Sequence, residues 1–176
     1  VPQVEFRFRN ELFGFPEGSS GTLVSGTSVG NLVGLAVARD QALDSPGAGP
    51  PRAEPRLYVS ECSHLSVSRA AHLIGFPEGA VVQIGSDSDQ RLDPERLQEA
   101  IAKDRAAGRQ PVAVVATAGT SGTGAIDPLP EVTDVCRRHD LWLHVDGAFG
   151  ALAYLSNDPP PSLASLPEAD SLAFDF

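Results

Sequence analysis

The chain has 176 residues, enough for one domain with a substantial hydrophobic core. Its net charge of −10 argues against nucleic acids and anionic membranes as partners, because both select basic surfaces. Its two cysteines have no metal-ligand spacing, which favours a reduced cytoplasmic protein, although they could also form one disulfide. No apolar run is long enough to cross a membrane, and no signal peptide is evident.

The first third of the chain is predicted to contain an entry segment, a short extended run, one helix and a loop. Residues 1–16 mix charged and aromatic side chains, and residues 21–25 form a short extended run. Residues 31–43 (NLVGLAVARDQAL) carry apolar positions that suit a buried helix. Residues 45–55 are rich in proline and are predicted to form a loop.

From residue 56 onward, strand and helix patterns alternate. The predicted strands cover residues 56–60, 81–84, 112–117 and 141–146, with another short strand within 168–176. The predicted helices cover residues 66–75, 93–107 and 129–139. Short connections between alternating elements indicate βαβ units, so we predict an α/β fold with a mostly parallel sheet and flanking helices.

Polar side chains follow two of these strands. They are Thr117 and Thr120 after the first, and His144 and Asp146 at the end of the second. Ligands of open α/β sheets bind outside the carboxyl ends of the strands. Asp146 closes the apolar run LWLHV, so we expect a buried carboxylate that needs a cation or strong donors, although it could also be a simple turn residue. Gly147 and Ala148 beside it would let a planar ligand approach the backbone.

Two further segments are candidates for ligand binding. Thr27 and Ser28 precede a predicted helix, where hydroxyl groups and backbone N–H groups form an anion site or simply an N-cap. His64 lies between a strand and a helix, where an imidazole either moves protons or is merely solvated.

A glycine-rich loop at residues 119–124 follows a predicted strand. Its spacing, Gly119-xx-Gly122-x-Gly124, differs from the dinucleotide fingerprint G-x-G-x-x-G. The spacing argues against a nucleotide-binding oxidoreductase without excluding one, and the glycines could serve only to turn the chain.

In their order and separation, five segments resemble the large domain of a group II pyridoxal-phosphate-dependent amino-acid decarboxylase of the aromatic-amino-acid/glutamate decarboxylase type. They are SGTSVGNLVGLAVAR, YVSECSHLSVSRAAHLIGF, ATAGTSGTGAIDPL, LWLHVDGAFG and ADSLAFDF. The resemblance implies the aspartate-aminotransferase-like fold (fold type I), pyridoxal 5′-phosphate as cofactor and a homodimer with active sites at the subunit interface. Residues 1–176 would form the cofactor-binding large domain in incomplete form.

The resemblance also implies how the cofactor is held. Thr27 and Ser28 would bind its phosphate, and Ala148 would pack beneath its ring. Asp146 would pair with the pyridinium nitrogen and keep it protonated, so that the ring draws electrons from the substrate.

The implied reaction is loss of the α-carboxylate of an L-amino acid, followed by protonation, to give an amine and carbon dioxide. Catalysis would involve His64, Asp146 and Thr120. His64 would stack on the cofactor ring and is a candidate proton donor, and Thr120 would lie near the substrate carboxylate.

The chain departs from the family pattern at its lysine. The family has a His-Lys pair after Asp-Ser-x-x-x-Asp-x, and that lysine forms the Schiff base with the cofactor. The single lysine here, Lys103, falls in an exposed-looking helix, so we expect an incomplete stretch that lacks the Schiff-base lysine and the C-terminal domain and is inactive alone. A carbon–carbon lyase or aldehyde synthase on the same scaffold and a non-catalytic relative remain alternatives.

Overall fold

A parallel sheet of five strands lies at the centre of this computed structural model, which describes residues 12–42 and 53–176. The strands are β1 (Pro55–Ser60), β2 (Val81–Ile84), β3 (Gln110–Thr117), β4 (Trp142–Asp146) and β5 (Ser171–Ala173). Their order is β2-β1-β3-β4-β5, and every neighbouring pair is parallel. The structure therefore confirms the predicted α/β class.

Helices cover both faces of the sheet. They are α1 (Thr27–Ala42), α2 (Leu65–Leu73), α3 (Pro94–Ala106) and α4 (Leu129–His139). Alternate residues of β3 enter two separate cores, because side chains of a strand point to opposite faces. Val115 joins the core beneath α1 and α2, whereas Val114 joins the core beneath α3 and α4. The result is three layers, helix on sheet on helix.

The strand order places a topological switch point between β1 and β3. From β1 the chain moves outward to β2, whereas from β3 it moves in the other direction to β4 and β5. The connections that leave the carboxyl ends of β1 and β3 therefore diverge to opposite sides and open a crevice there. Crevices of this kind are the usual ligand sites of open α/β sheets.

Local sequence explains where α3 begins. The side chain of Asp93 accepts hydrogen bonds from the backbone N–H groups of Glu95 and Arg96, and Pro94 occupies the first helical position, where no N–H is needed. At the N-terminus of helix α4 no side chain caps the backbone. The helix ends at His139, and Asp140 follows it in the left-handed conformation with a φ of 53°.

Residues 21–25, predicted to be a short extended run, are exposed and pair with no neighbouring strand of the described chain. The structure differs from the predicted elements at two places. Helix α1 begins at Thr27 rather than Asn31, because Gly26 turns the chain with a φ of 97° directly before it. Within residues 168–176 only β5 is a strand, and a 3₁₀ turn, Leu166–Glu168, precedes it.

Positions 1–11 and 43–52 lie outside the described residues, and with them most of the predicted entry segment, the last residue of the predicted first helix and most of the proline-rich loop. Within the described ranges, no helix is both long enough and apolar enough to cross a membrane.

Candidate functional site

A cavity of about 500 Å³ lies at the carboxyl edge of the sheet, where the topology predicts it. Its lining comes from the start of α1, the β1–α2 loop, the segment that follows β3 and the end of β4. All six site residues predicted from the sequence line it, namely Thr27, Ser28, His64, Thr120, Asp146 and Ala148. The volume lies within the range of small-molecule pockets.

The N-terminus of α1 forms one end of this cavity. Thr27 is buried, Ser28 is exposed, and the first turn of the helix contains no acidic residue. The backbone N–H groups of a first helical turn and the helix dipole both favour a negative charge. This end of the cavity is therefore suited to an anionic group.

His64 begins helix α2 as its N-cap. Its Nδ1 accepts a hydrogen bond from the backbone N–H of Ser66 at 3.2 Å and lies 2.8 Å from the Ser66 hydroxyl. A backbone N–H can only donate, so Nδ1 is an acceptor and the neutral ring carries its proton on Nε2. The capping contact thus selects one tautomer of a histidine that faces the cavity.

Asp146 is a buried carboxylate at the end of β4, with 4% of its surface exposed. Its Oδ2 accepts a hydrogen bond from Asn31 Nδ2 at 2.9 Å, and its Oδ1 accepts one from the backbone N–H of Ala148 at 3.3 Å. Neither Lys nor Arg occurs in the described lining of the cavity. A buried carboxylate held by neutral donors alone favours a ligand that brings a positive charge.

Three buried hydroxyl groups of the cavity have no hydrogen-bond partner among the described residues. They belong to Thr27, Ser63 and Thr117. A buried polar atom without a partner costs about 1–3 kcal/mol. A polar ligand in the cavity would remove this cost, so the lining is suited to an occupant with several polar groups.

The glycine-rich loop after β3 folds back on itself. Gly119 and Gly124 have φ values of 89° and 73°, and the hydroxyl groups of Thr120 and Thr123 lie 2.8 Å apart. These glycines turn the chain and place Thr120 at the cavity, as the simpler interpretation of the loop proposed.

The expected role of Gly147 in admitting a ligand is wrong. A Cβ atom at this position would lie 2.5 Å from Ala151 Cβ and 2.9 Å from Leu172 Cδ1. Gly147 therefore faces the packed core and does not line the cavity, whereas Ala148 does. The small residue at 147 is required by packing between β4, β5 and the 3₁₀ turn Ala151–Leu155.

Sequence reasoning missed two polar residues that hold the site together. Asp127 is fully buried, and its two oxygens accept the backbone N–H groups of Leu92 and Thr117, each at 2.7 Å. Burial raises the pKa of this carboxyl to about 6. Asn31 is buried on the face of α1 that also carries Thr27, Leu35 and Ala38. The signal available in the sequence was a single amide among small and apolar residues.

His144 and Lys103 lie outside the cavity. His144 is fully buried, and burial lowers the pKa of its imidazole to about 4, so the ring is neutral. Lys103 is exposed in the last turn of α3, as expected for a surface lysine.

Comparison with known proteins identifies a single family. The model described as the pyridoxal-dependent decarboxylase conserved domain matches residues 7–175. The aromatic-L-amino-acid decarboxylase of Bacillus atrophaeus is 38% identical over 164 residues, which cover 93% of this chain and 33% of that protein. The chain thus spans about a third of the length of the curated relatives it matches.

Solved structures agree with this result. Mouse CSAD in its apo form superimposes with a TM-score of 0.92 at 32% identity, covering 99% of this chain and 37% of that one. Oryza sativa TDC with PLP and tryptamine superimposes with a TM-score of 0.87 at 28% identity, covering 99% and 38%.

Proposed function

The chain belongs to the pyridoxal-dependent decarboxylase family, and we propose that it forms the cofactor-binding large domain of an enzyme that converts an L-amino acid to an amine and carbon dioxide. The observation that carries the proposal is Asp146, a buried carboxylate that faces a cavity with neither Lys nor Arg in its described lining. Such a carboxylate is suited to a protonated ring nitrogen.

Pyridoxal 5′-phosphate fits the cavity in three respects. Its phosphate suits the start of α1, where Thr27 has a buried hydroxyl without a described partner and Ser28 is exposed. Its ring nitrogen suits Asp146. Its flat ring suits the space lined by His64 and Ala148.

The cofactor, when bound, supplies a protonated pyridine ring that accepts the electron pair left at the α-carbon as the carboxylate departs. Asp146 would keep the ring nitrogen protonated by its negative charge, which acts strongly because the carboxylate is removed from water. His64 would donate a proton from Nε2, because Ser66 occupies its Nδ1. Thr120 lines the cavity, and its hydroxyl, 2.8 Å from that of Thr123, would orient the substrate carboxylate.

The described residues of this chain would hold the cofactor without a covalent bond. Its single lysine, Lys103, is exposed on α3 and does not line the cavity. Binding through Thr27, Ser28 and Asp146 is therefore the property of this chain that experiments can isolate.

We extend the proposal to a homodimer in the cytoplasm. Val29, Val33 and Val37 form an apolar row on the outer face of α1, each 37–48% exposed, and such a row suits an interface. Cys62 and Cys136 are both free thiols, which suits a reducing compartment. Light scattering of the purified protein and cell fractionation test these two points.

The variant Asp146→Asn in the full-length protein tests the function, with Asp134→Asn on the exposed face of α4 as the matched control. Loss of a hydrogen bond to a charged group corresponds to about 10- to 100-fold weaker cofactor binding. We expect a larger loss of carbon dioxide release, because the charge also serves the reaction. Turnover within twofold of wild type would refute the role of Asp146.

Product analysis of the wild-type protein separates decarboxylation from its alternatives. An amine formed in step with carbon dioxide supports the proposal. An aldehyde with ammonia would identify an aldehyde synthase on the same scaffold. Cofactor binding without turnover of any amino acid would identify a non-catalytic relative.

A further inference from the structure

We infer that Asn31 positions both Asp146 and His64 through its one side-chain amide, as the branch point of a hydrogen-bond network that begins at the indole of Trp142. The network comprises Trp142, Ser171, His144, Asn31 and Ser66. The inference rests on the proposed function only where it assigns Asp146 and His64 to the cofactor.

The direction of the network is set at its two ends. The indole N–H of Trp142 can only donate, and it donates to Ser171 Oγ at 2.8 Å. The carboxylate of Asp146 can only accept, and it accepts from Asn31 Nδ2 at 2.9 Å. The reverse order would place the amide oxygen of Asn31 against this carboxylate, which is repulsive.

The residues between these ends then have defined donors and acceptors. The hydroxyl of Ser171 donates to His144 Nδ1 at 2.7 Å, and His144 Nε2–H donates to Asn31 Oδ1 at 3.0 Å. His144 is fully buried and neutral, so it carries one proton, on Nε2. Its tautomer is thereby coupled to the orientation of the Asn31 amide.

Asn31 divides the network between the two candidate catalytic groups. One hydrogen of its Nδ2 goes to Asp146, and the geometry directs the other toward Ser66 Oγ at 3.4 Å. The Ser66 hydroxyl then donates to His64 Nδ1 at 2.8 Å, which leaves the proton of His64 on Nε2. One amide therefore orients the carboxylate and, through the Ser66 hydroxyl, supports a second hydrogen bond to His64 Nδ1, which the Ser66 backbone N–H already holds as an acceptor.

Two glycines bring α1 close enough for Asn31 to reach these partners. A Cβ atom at Gly34 would lie 2.7 Å from the ring of His144, and one at Gly30 would lie 3.0 Å from Ala173 Cβ. The helix thus lies directly against β4 and β5, with the 1% exposed side chain of Asn31 between them. An amide at this position is fully enclosed and makes hydrogen bonds through both its oxygen and its nitrogen.

The first experiment measures histidine tautomers by ¹⁵N NMR of the cofactor-free, full-length protein. We expect the Nε2–H tautomer at His144 in wild type and in Ser171→Ala, where Asn31 Oδ1 still accepts from Nε2, and a mixture of tautomers in Asn31→Leu, which removes that acceptor. Ser68→Ala, on α2 and outside the cavity, should leave the His144 signals unchanged. An Nδ1–H tautomer at His144 in wild type, or an unchanged tautomer in a folded Asn31→Leu, would overturn the inference.

The second experiment measures the dissociation constant for pyridoxal phosphate and kcat. Asn31→Leu should weaken binding about 10- to 100-fold, because Asp146 loses the donor that orients it. Ser66→Ala should lower kcat about tenfold and leave the dissociation constant within about twofold, since it breaks only the branch to His64. Equal effects of Ser66→Ala and Ser68→Ala, or binding by a folded Asn31→Leu that matches wild type, would refute the branch point.

The two experiments separate this inference from the proposed function. If wild type fails to bind pyridoxal phosphate, the proposed function fails, whereas the tautomer measurement still decides whether the network exists. If Asn31→Leu does not fold, the wild-type tautomer still decides the direction, because a ring with its proton on Nδ1 could not donate from Nε2 to Asn31 Oδ1.

Discussion

Replacing Gly34 with alanine tests whether α1 must lie as close to β4 as the network requires. The added methyl group would lie 2.7 Å from both Cε1 and Nδ1 of His144 and 3.2 Å from Ser171 Oγ. Ordinary contact begins at 3.4 Å, so the ring must move by about 0.7 Å, the difference between 3.4 and 2.7 Å. His144 is fully buried and bonded at both nitrogens, so it cannot move without lengthening those bonds.

The expected cost follows from three opposing effects. Overpacking a core costs about 1–3 kcal/mol, and each weakened hydrogen bond of His144 costs about 0.5–1.5 kcal/mol. Alanine gains about 1 kcal/mol over glycine within a helix. The overpacking cost and the hydrogen-bond cost overlap, because movement of the His144 ring relieves the clash but lengthens its hydrogen bonds. We therefore expect a net loss of about 1–3 kcal/mol in local stability.

Native-state hydrogen exchange of the α1 amides measures this loss directly. A destabilisation of this size lowers protection by about 10- to 100-fold. Val37→Ala, at a 48% exposed position of the same helix, should change protection only slightly. In a His144→Ala background the clash is gone, so Gly34→Ala should become neutral or stabilising. If the α1 amides of Gly34→Ala were better protected than those of wild type, the close packing would be refuted, because the higher helix propensity of alanine would then be the only effect observed.

Two further predictions concern other buried groups. Burial raises the pKa of Asp127 from 3.8 to about 6. The folded protein therefore holds this proton more tightly than the unfolded chain, so the resulting stabilisation is present below about pH 4 and is lost as the pH rises through 6. At 1.36 kcal/mol per pKa unit the loss is roughly 3 kcal/mol. The difference in unfolding free energy between wild type and Asp127→Asn should narrow over that range, and a difference that stays constant with pH would contradict the raised pKa. Cys62 lines the cavity, whereas burial raises the pKa of the Cys136 thiol to about 12. We expect thiol reagents to modify Cys62 but not Cys136 in the native protein, and pyridoxal phosphate to slow the modification of Cys62. Equal modification rates with and without the cofactor would argue against its binding in this cavity.

Local sequence was sufficient for most of the regular elements. Helix α3 was predictable because Asp93 and Pro94 form a strong start signal, and β3 because an uninterrupted apolar run suits a strand buried on both faces. The start of α1 was not predictable, because the turn at Gly26 depends on its positive φ rather than on an apolar pattern.

The six candidate site residues were also accessible from the sequence. Each follows a strand or begins a helix, and the carboxyl ends of parallel strands meet at one edge, so local position already indicated a shared site. The predicted role of Gly147 was wrong, because a small residue is equally suited to the approach of a ligand and to close packing in a core. Only the positions of Ala151 and Leu172 distinguish the two roles.

The sequence by itself determined the chemistry of the site: a carboxylate, a histidine and hydroxyl groups at the ends of alternating strands and helices. The tertiary structure decided which of these groups act together. The bond from Asn31 to Asp146 joins residues 115 positions apart, and the bond from His144 to Asn31 joins residues 113 apart. Such bonds depend on how closely α1 docks against β4 and β5. That distance is set by side-chain volume at Gly30 and Gly34 across the interface, and no local periodicity encodes it.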